Sequence, residues 1–276
     1  NTLCLRGYED PKTNRYEAYY YRNNKPEKVV LKKGDINYLS DLYDEEILSV
    51  DELISRFLAG IDRKVRDKTI IVIFSDHGEM FAKHGRFGRA GTVRGTMYDD
   101  VLHVPLLIKA PGHEGKRIKG LVQLIDVMPT VLGSLGIPAP SGAQGKDLAG
   151  LITRGAPANT HAFAGSRFGW FQGPASRDYY NIRSENEAVR TGEWKLIHEK
   201  KFTKEGKFLG DEYELYNIND DPDEMKNRFD KDVSKTNELK AILEKWVKEC
   251  YNYKIKSGSK ALPPDVAEEA KKSGYW

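Results

Sequence analysis

The segment Thr69-Ile-Ile-Val-Ile-Phe-Ser-Asp-His-Gly-Glu79 carries the strongest structural pattern in the chain. Residues 69–75 are almost all β-branched, aromatic or small. Such a short apolar run between polar residues predicts a strand buried on both faces, as in parallel sheets. Ligands of open α/β sheets bind beyond the carboxyl ends of the strands. Asp76 and His77 therefore offer half of a metal site there, and Gly78 lets the backbone turn sharply. A capped turn is the other interpretation of the same pair.

The sequence on either side of this strand predicts both helices and strands. Residues 34–63 carry apolar side chains at three- and four-residue steps, which predicts a long amphipathic helix leading into the strand. The other predicted elements are an N-terminal hairpin (15–22 and 27–31), strands 104–109 and 121–125, a helix ending at 135, a hairpin 187–197, a strand 213–218 and a helix 237–251. Asp126 is expected to cap the helix that ends at 135 rather than to bind a metal.

The bulk composition excludes several functional classes. The chain has 276 residues, 31% of them charged, and a net charge of +3. Because Lys and Arg are scattered among nearly as many acids, no nucleic-acid partner is expected. The longest apolar runs are only strand-sized, so no membrane segment is expected. Cys4 and Cys250 are either paired or both free, and the compartment and the oligomeric state stay open.

Several motifs follow the strand in a characteristic order. They are His84-Gly85, Arg94-Gly-Thr-Met-Tyr98, Val104-Pro105, Asp126-Val-Met-Pro129-Thr130, Val189-Arg-Thr-Gly192, Glu214-Leu-Tyr-Asn217 and Asp221-Pro-Asp-Glu224. In this order and spacing the chain resembles the sulfatase family of the alkaline phosphatase superfamily. The resemblance runs from about residue 39 to the C-terminus and matches only the second half of a sulfatase.

The resemblance implies the fold class and the division into domains. The expected fold is α/β, with part of a mostly parallel or mixed sheet flanked by helices. A smaller C-terminal antiparallel α+β subdomain is expected beside it. Residues 1–155 would form the C-terminal part of the α/β catalytic core, and residues 156–276 the subdomain with its antiparallel sheet and packed helix.

The resemblance also implies chemistry. Sulfatases hydrolyse sulfate esters with a formylglycine nucleophile and a divalent cation, usually calcium. A transition state with charge spread over several oxygens needs a hard cation and fixed positive groups. Asp76 and His77 fall at positions of cation ligands. Many family members carry Asn at the second of these places, and a neutral imidazole suits a transition metal better than calcium, so both kinds of ion stay open.

A sulfate-binding lysine of the family has no lysine counterpart here. Counting back from Tyr98 and Val104-Pro105 places Arg94 at its position, whereas counting forward from Asp76 places Arg89 there. Arg94 is preferred because it keeps the local motif. Arginine binds a tetrahedral anion bidentately but does not readily give up a proton. His84 is a further candidate near the site, although a structural turn histidine explains it equally well.

The nucleophile is expected upstream of Asn1. The Cys4-Leu-Arg6 sequence lacks the proline and the arginine spacing of a Cys/Ser-x-Pro-x-Arg motif. The full protein is therefore expected to act on a small-molecule or carbohydrate sulfate ester, and the chain alone is expected to be inactive. The alternatives are a phosphodiesterase or phosphonate monoester hydrolase of the same superfamily, and a non-catalytic protein that keeps only the fold.

Overall fold

The computed structural model describes residues 8–10, 15–22, 25–85, 87–88, 97–168, 182–203 and 205–252. The chain divides into two units that each have most of their contacts within themselves, Asn1–Leu243 and Glu244–Trp276. Every candidate site residue lies in the first unit. The predicted domain boundary between residues 155 and 156 stays a prediction.

The N-terminal part forms a small antiparallel sheet followed by a long helix. Strands β1 (Tyr8–Asp10), β2 (Arg15–Arg22) and β3 (Lys25–Leu31) lie in that order, which confirms the predicted hairpin. Helix α1 (Lys33–Gly60) begins where the Lys32 amide donates to the Asp35 carboxylate at 2.7 Å. A short helix α2 (Arg63–Arg66) follows, capped by Asp62.

Helix α1 has the predicted length but not the predicted burial. Of its apolar stripe Ile36 is buried, whereas Ile47, Leu53 and Phe57 are exposed. Periodicity shows which face of a helix is apolar, but the contacts made elsewhere in the chain decide whether that face is covered. Across the residues that the structure describes, no helix is both long and apolar enough to cross a bilayer.

The apolar segment that begins at Thr69 contains strand β4 (Ile71–Phe74). After it come β5 (Met80–Phe81), β6 (Phe87–Gly88), α3 (Asp99–Leu102) and β7 (Leu106–Lys109). β4 pairs antiparallel with β7, and β5 with β6. The prediction that residues 69–75 are buried on both faces is wrong for this chain, because β4 is half-buried and Phe74 is 49% exposed. In the described part of the chain β4 has one paired edge, so it lacks the neighbours that bury a central strand.

The segment before helix α4 (Val127–Ser134) is not the predicted strand. Residues Leu124–Asp126 form a 3₁₀ turn, because the carboxylate of the fully buried Asp126 accepts from the Gln123 amide at 2.9 Å. The same carboxylate binds the Lys146 amide at 2.8 Å and the Asn159 side-chain amide at 2.7 Å. Asp126 thus occupies the predicted N-cap position of α4, but its side chain makes no capping hydrogen bond to that helix and instead ties its own 3₁₀ turn to the segments around Lys146 and Asn159. Helix α5 (Ala149–Arg154) follows.

The C-terminal part is a four-stranded antiparallel sheet with a helix. Its strands are β8 (Ala162–Phe168), β9 (Ile182–Arg190), β10 (Trp194–Thr203) and β11 (Phe208–Asn217), in the order β11-β10-β9-β8, and helix α6 (Val233–Asn252) follows them. The prediction that 187–197 and 213–218 share one sheet is confirmed. One buried cluster joins this sheet to the region around α3: Met80, Met97, Tyr98, Val101, Ala188, Ile197, Tyr216 and Ile218.

Candidate functional site

Asp76 and His77 lie directly beyond the carboxyl end of β4. The Asp76 Oδ1 atom accepts from the His77 backbone N–H at 3.0 Å and lies 3.6 Å from the His77 Nε2 atom. The Ser75 hydroxyl donates to the His77 carbonyl oxygen at 2.6 Å, which tightens the turn. The two side chains converge, as the sequence predicts. Asp76 is largely exposed and His77 is partly exposed.

The orientation of the His77 ring is fixed by a contact with the backbone. Its Nδ1 atom lies 2.9 Å from the carbonyl oxygen of Gly78. A carbonyl only accepts, so this contact requires a proton on Nδ1, and in the neutral form of the ring the lone pair lies on Nε2, which is 3.6 Å from Asp76 Oδ1. Metal-bound histidines typically donate their second ring N–H to a carbonyl or carboxylate in this way.

The spacing of the two atoms fits one shared cation. Ligand atoms at roughly 2.1–2.4 Å from one ion lie about 3 to 4 Å apart at ordinary coordination angles. The separation of Oδ1 and Nε2 falls in that range. Two ligands are fewer than the roughly six to eight that calcium takes, and the described residues contain no group of three metal-ligating side chains. The pair supplies two ligand atoms for the predicted cation site, and its role stays a prediction.

The turn that carries the pair is held against α3. The Gly78 amide donates to the Val101 carbonyl oxygen at 2.8 Å. A Cβ atom on Gly78 would lie 2.1 Å from the carbonyl oxygen of Asp100, so any side chain there would collide with backbone. Glycine is thus required here by the close approach of α3 rather than by a positive φ.

Lys83 fixes the segment after β5. Its ammonium binds the carboxylates of Asp100 at 2.9 Å and Asp223 at 2.7 Å. Burial alone lowers the pKa of Lys83, but the two carboxylates outweigh burial and raise it above its usual value. The same contact lowers the pKa of Asp223. This bridge ties the turn near β5 both to α3 and to the turn after β11.

His84 packs on Tyr98. The two rings are stacked with centroids 3.7 Å apart and planes 3° from parallel, and His84 has a positive φ of 54°. The Tyr98 hydroxyl donates to Glu214 at 2.8 Å, and the Tyr216 hydroxyl donates to the same oxygen at 3.2 Å. Burial and the negative charge of Glu214 raise the pKa of Tyr216. The stacking favours a packing role for His84, and its catalytic role remains a prediction.

The two arginines predicted to bind sulfate, Arg94 and Arg89, lie outside the described residues. The described chain resumes at Met97, which is buried with Tyr98 in the cluster around α3. The end of the Arg94-Gly-Thr-Met-Tyr98 motif is therefore anchored in the core. Whether Arg94 or Arg89 takes the lysine position stays a prediction.

A buried ionic network next to Met97 and Tyr98 was not predicted from the sequence. Lys195 is 1% exposed, and its ammonium lies 2.6 Å from Asp99 Oδ1 and 2.8 Å from Glu224 Oε1. Arg190 binds the other oxygen of Asp99 at 3.1 Å. Burial raises the pKa of Asp99, but Lys195 and Arg190 outweigh it and hold the pKa below its usual value; burial raises the pKa of Glu224. A lysine inside the apolar Trp-Lys-Leu-Ile strand signals such a network, since buried charges need partners.

Comparison with protein-family models gives two matches. The model described as Sulfatase matches residues 7–137, and the model described as N-sulphoglucosamine sulphohydrolase, C-terminal, matches residues 86–252. The two matches overlap in the region that contains the Arg94 motif, α3 and β7. Together they span both the Asp76–His77 turn and the C-terminal sheet.

Individual proteins show the same relationship. Arylsulfatase K of Mus musculus is 29% identical over 201 residues, 71% of this chain and 33% of that protein. N-acetylglucosamine-6-O-sulfatase of Bacteroides thetaiotaomicron is 28% identical over 239 residues, 84% of this chain and 39% of that protein. Multifunctional alkaline phosphatase superfamily protein PehA of Trinickia caryophylli is 32% identical over 136 residues, 48% of this chain and 25% of that protein.

Solved structures confirm the α/β fold class. BT4656, solved in complex with its substrate D-glucosamine-2-N,6-O-disulfate, superposes with a TM-score of 0.58 at 28% identity over 77% of this chain and 41% of that one. The chain spans between a quarter and about two fifths of the length of these relatives. A structure of the phosphonate monoester hydrolase of Silicibacter pomeroyi shares the fold, with a TM-score of 0.55 at 21% identity over 74% of this chain and 39% of that one.

Proposed function

Because the chain belongs to the sulfatase family of the alkaline phosphatase superfamily, we propose that it supplies part of the metal and sulfate site of a sulfate ester hydrolase. The observation that carries the proposal is the convergence of Asp76 Oδ1 and His77 Nε2 at the end of β4. The ring Nδ1–H of His77 donates to the Gly78 carbonyl oxygen, which leaves Nε2 on the side of Asp76. Two converging ligand atoms on a turn fixed to α3 make a rigid part of a cation site.

Asp76 and His77 would hold a divalent cation, with calcium as the expected ion and a transition metal as the alternative. When bound, the cation polarises the sulfate oxygens. In this proposal Arg94 binds the sulfate group with two parallel N–H donors, and Arg89 is the alternative. A guanidinium holds its proton, so protonation of the leaving group falls to a residue other than Arg94.

The nucleophile is proposed to lie in another part of the protein. No Cys/Ser-x-Pro-x-Arg sequence occurs in the 276 residues, and Cys4 and Cys250 lack that context. The formylglycine that attacks sulfur is therefore expected upstream of Asn1, and the chain alone should bind without completing the covalent step. Relatives named for sulfated sugars support a carbohydrate sulfate ester as the natural substrate.

The test compares this chain with a version extended upstream, both co-expressed with the formylglycine-generating enzyme and assayed on a chromogenic aryl sulfate with calcium. We expect turnover by the extended protein and none by the chain. Replacing Asp76 and His77 together by Ala in the extended protein should abolish turnover, whereas His113→Ala, in the exposed turn 111–120, should not. Turnover by the chain alone contradicts the missing nucleophile, and activity that survives the double replacement contradicts the metal assignment.

A phosphodiesterase or phosphonate monoester hydrolase is the second candidate. The observation behind it is the match to PehA, which is named a multifunctional member of the alkaline phosphatase superfamily, so esters other than sulfate are tested as well. Assaying the extended protein on an aryl sulfate, an aryl phosphonate monoester and an aryl phosphodiester separates the two. A ratio of kcat/KM values that favours sulfate supports the sulfatase. If the upstream sequence holds no formylglycine motif and none of the three esters is hydrolysed, the chain keeps only the fold.

A further inference from the structure

Lys195 lies at the centre of the ionic network next to α3. It stands on β10, directly across from Arg190 on β9. Its ammonium contacts two carboxylates from different parts of the chain, Asp99 at the start of α3 and Glu224 in the turn after β11. Both Lys195 and Glu224 have side chains that are 1% exposed. The network therefore joins two strands, one helix and one turn at a single buried point.

Stability alone does not account for this arrangement. Replacing a buried ion pair by apolar residues is often neutral or stabilising, whereas removing one partner leaves an uncompensated buried charge. Glu224 also has a φ of 55°, a conformation that non-glycine residues adopt rarely. Backbone strain of this kind persists where surrounding contacts impose it, and it is concentrated at functional sites. We therefore infer that the network serves to hold the start of α3 and the Glu224 turn in one fixed arrangement.

Hydrogen bonds on either side of helix α3 connect the ionic network to the Asp76–His77 turn. The Asp99 carboxylate binds Lys195, and the Asp99 backbone N–H donates to Glu224 Oε2 at 2.6 Å, which fixes the first residue of α3 twice. Within the same short helix the Val101 carbonyl oxygen accepts from the Gly78 amide. The Gly78 carbonyl in turn accepts from His77 Nδ1. The ionic network thus holds α3 in place, α3 holds the Gly78 backbone, and the Gly78 carbonyl holds the His77 ring.

We propose that Lys195 is a positioning residue for the Asp76–His77 pair, which it holds in place by fixing the start of α3 against the Gly78 turn. The positioning can be tested without a bound metal, and its functional meaning rests on the proposed cation site. Lys195 touches neither substrate nor cation in this proposal. It acts through Asp99, Val101 and Gly78.

The experiment is amide hydrogen exchange by NMR on the full 276-residue chain. In Lys195→Met we expect exchange at Gly78, Leu102 and His103 to accelerate roughly tenfold or more, because local opening of this segment becomes easier. Amides of Leu196 and its neighbours in the centre of the sheet should change much less. Lys201→Met is the matched control, since Lys201 lies on the same face of β10 and is paired with Glu212 and Glu199. It should leave exchange at Gly78 unchanged.

A second variant keeps the test decisive. If Lys195→Met does not give a folded spectrum, Asp99→Asn removes the negative charge while it keeps the side-chain shape, and it should accelerate exchange at the same three amides. Unchanged exchange at Gly78 would overturn the proposal. Equal acceleration at every amide of the sheet would also overturn it, because that is the response to a loss of global stability.

A metal titration separates this proposal from the proposed function. Mn²⁺ added to the unaltered chain should selectively broaden the ring signals of His77, and Lys195→Met should weaken that broadening several-fold relative to Lys201→Met. If Mn²⁺ does not affect His77 in the unaltered chain, the cation site is wrong, and the exchange data still decide whether Lys195 positions the turn. If broadening is equal in both variants, Lys195 does not position the pair.

Discussion

The Gly78 amide donates to the Val101 carbonyl oxygen at 2.8 Å, and this bond joins the turn carrying Asp76 and His77 to helix α3. The approach is so close that a Cβ atom on Gly78 would meet the Asp100 carbonyl oxygen at 2.1 Å. Because the obstacle is backbone rather than a flexible side chain, it cannot move aside without shifting α3. The site geometry therefore depends on a residue that carries no functional group.

Gly78→Ala should destabilise the chain by about 1–3 kcal/mol, the usual range for overpacking. The free energy of unfolding from urea titration measures the effect. Gly115→Ala is the matched control, since its Cβ would meet nothing within 4 Å, and it should change the stability little. Equal stabilities of the two variants would contradict the close approach of α3.

Asp126→Ala should cost about 3 kcal/mol or more, because three N–H donors lose one charged and fully buried acceptor. Asp67→Ala provides the comparison: this exposed carboxylate is 3.5 Å from Arg63, and surface pairs contribute little. Urea unfolding of both variants checks the difference. A loss below about 1 kcal/mol for Asp126→Ala would show that the segments around 123, 146 and 159 are held by other contacts.

Glu187 should make the chain sensitive to acid. Burial raises the pKa of Glu187, but a hydrogen bond from His198 and the charge of Lys200 outweigh burial and lower the pKa below its usual value. A lowered carboxyl pKa adds stability above the unfolded-state value, and this stability is lost as the pH falls through the folded-state value. Thermal unfolding between about pH 5 and pH 3 should therefore show a steeper loss of stability for the unaltered chain than for Glu187→Gln.

Glu114→Gln serves as the reference for that measurement, because Glu114 is an exposed side chain in the turn 111–120. Its profile should follow that of the unaltered chain. Parallel profiles for Glu187→Gln and the unaltered chain would mean that the contacts with His198 and Lys200 do not stabilise the ionised carboxylate.

Tyr98→Phe and Tyr216→Phe should be coupled, because both hydroxyls donate to one oxygen of Glu214. Each single variant leaves the carboxylate with one hydroxyl, whereas the double variant removes both. The double variant should lose about 0.5–1 kcal/mol more than the sum of the single losses. A double-mutant cycle of unfolding free energies measures this, and additive losses would rule out the shared acceptor. In a Glu214→Gln background the coupling should shrink.

The sequence predicted the local features of the candidate site well. The strand ends before Asp76, the two side chains converge, and the strands 187–197 and 213–218 share one antiparallel sheet. These features depend on short-range patterns: an apolar run, a polar pair, a Thr-Gly turn. Such patterns are visible without knowledge of the distant parts of the chain.

Burial was harder to predict than secondary structure. The apolar run of β4 indicated a central strand, yet β4 is half-buried, and much of the apolar face of α1 is exposed. Residues 121–125 had a strand-like composition, but the carboxylate of Asp126 closes a 3₁₀ turn there. For β4 and α1 the burial depends on contacts with distant segments of the chain, whereas in residues 121–125 a contact between residues three positions apart decides the backbone.

By itself the sequence determined the helix and strand that lead to Asp76, the C-terminal hairpin, the family and the candidate ligands Asp76 and His77, because each is encoded in short motifs of neighbouring residues. Only the tertiary structure showed that Lys195, Asp99 and Glu224 meet, although 125 positions separate the two carboxylates. A buried charge selects its partners by electrostatics in space, and spacing along the chain does not report which carboxylates will be brought within reach.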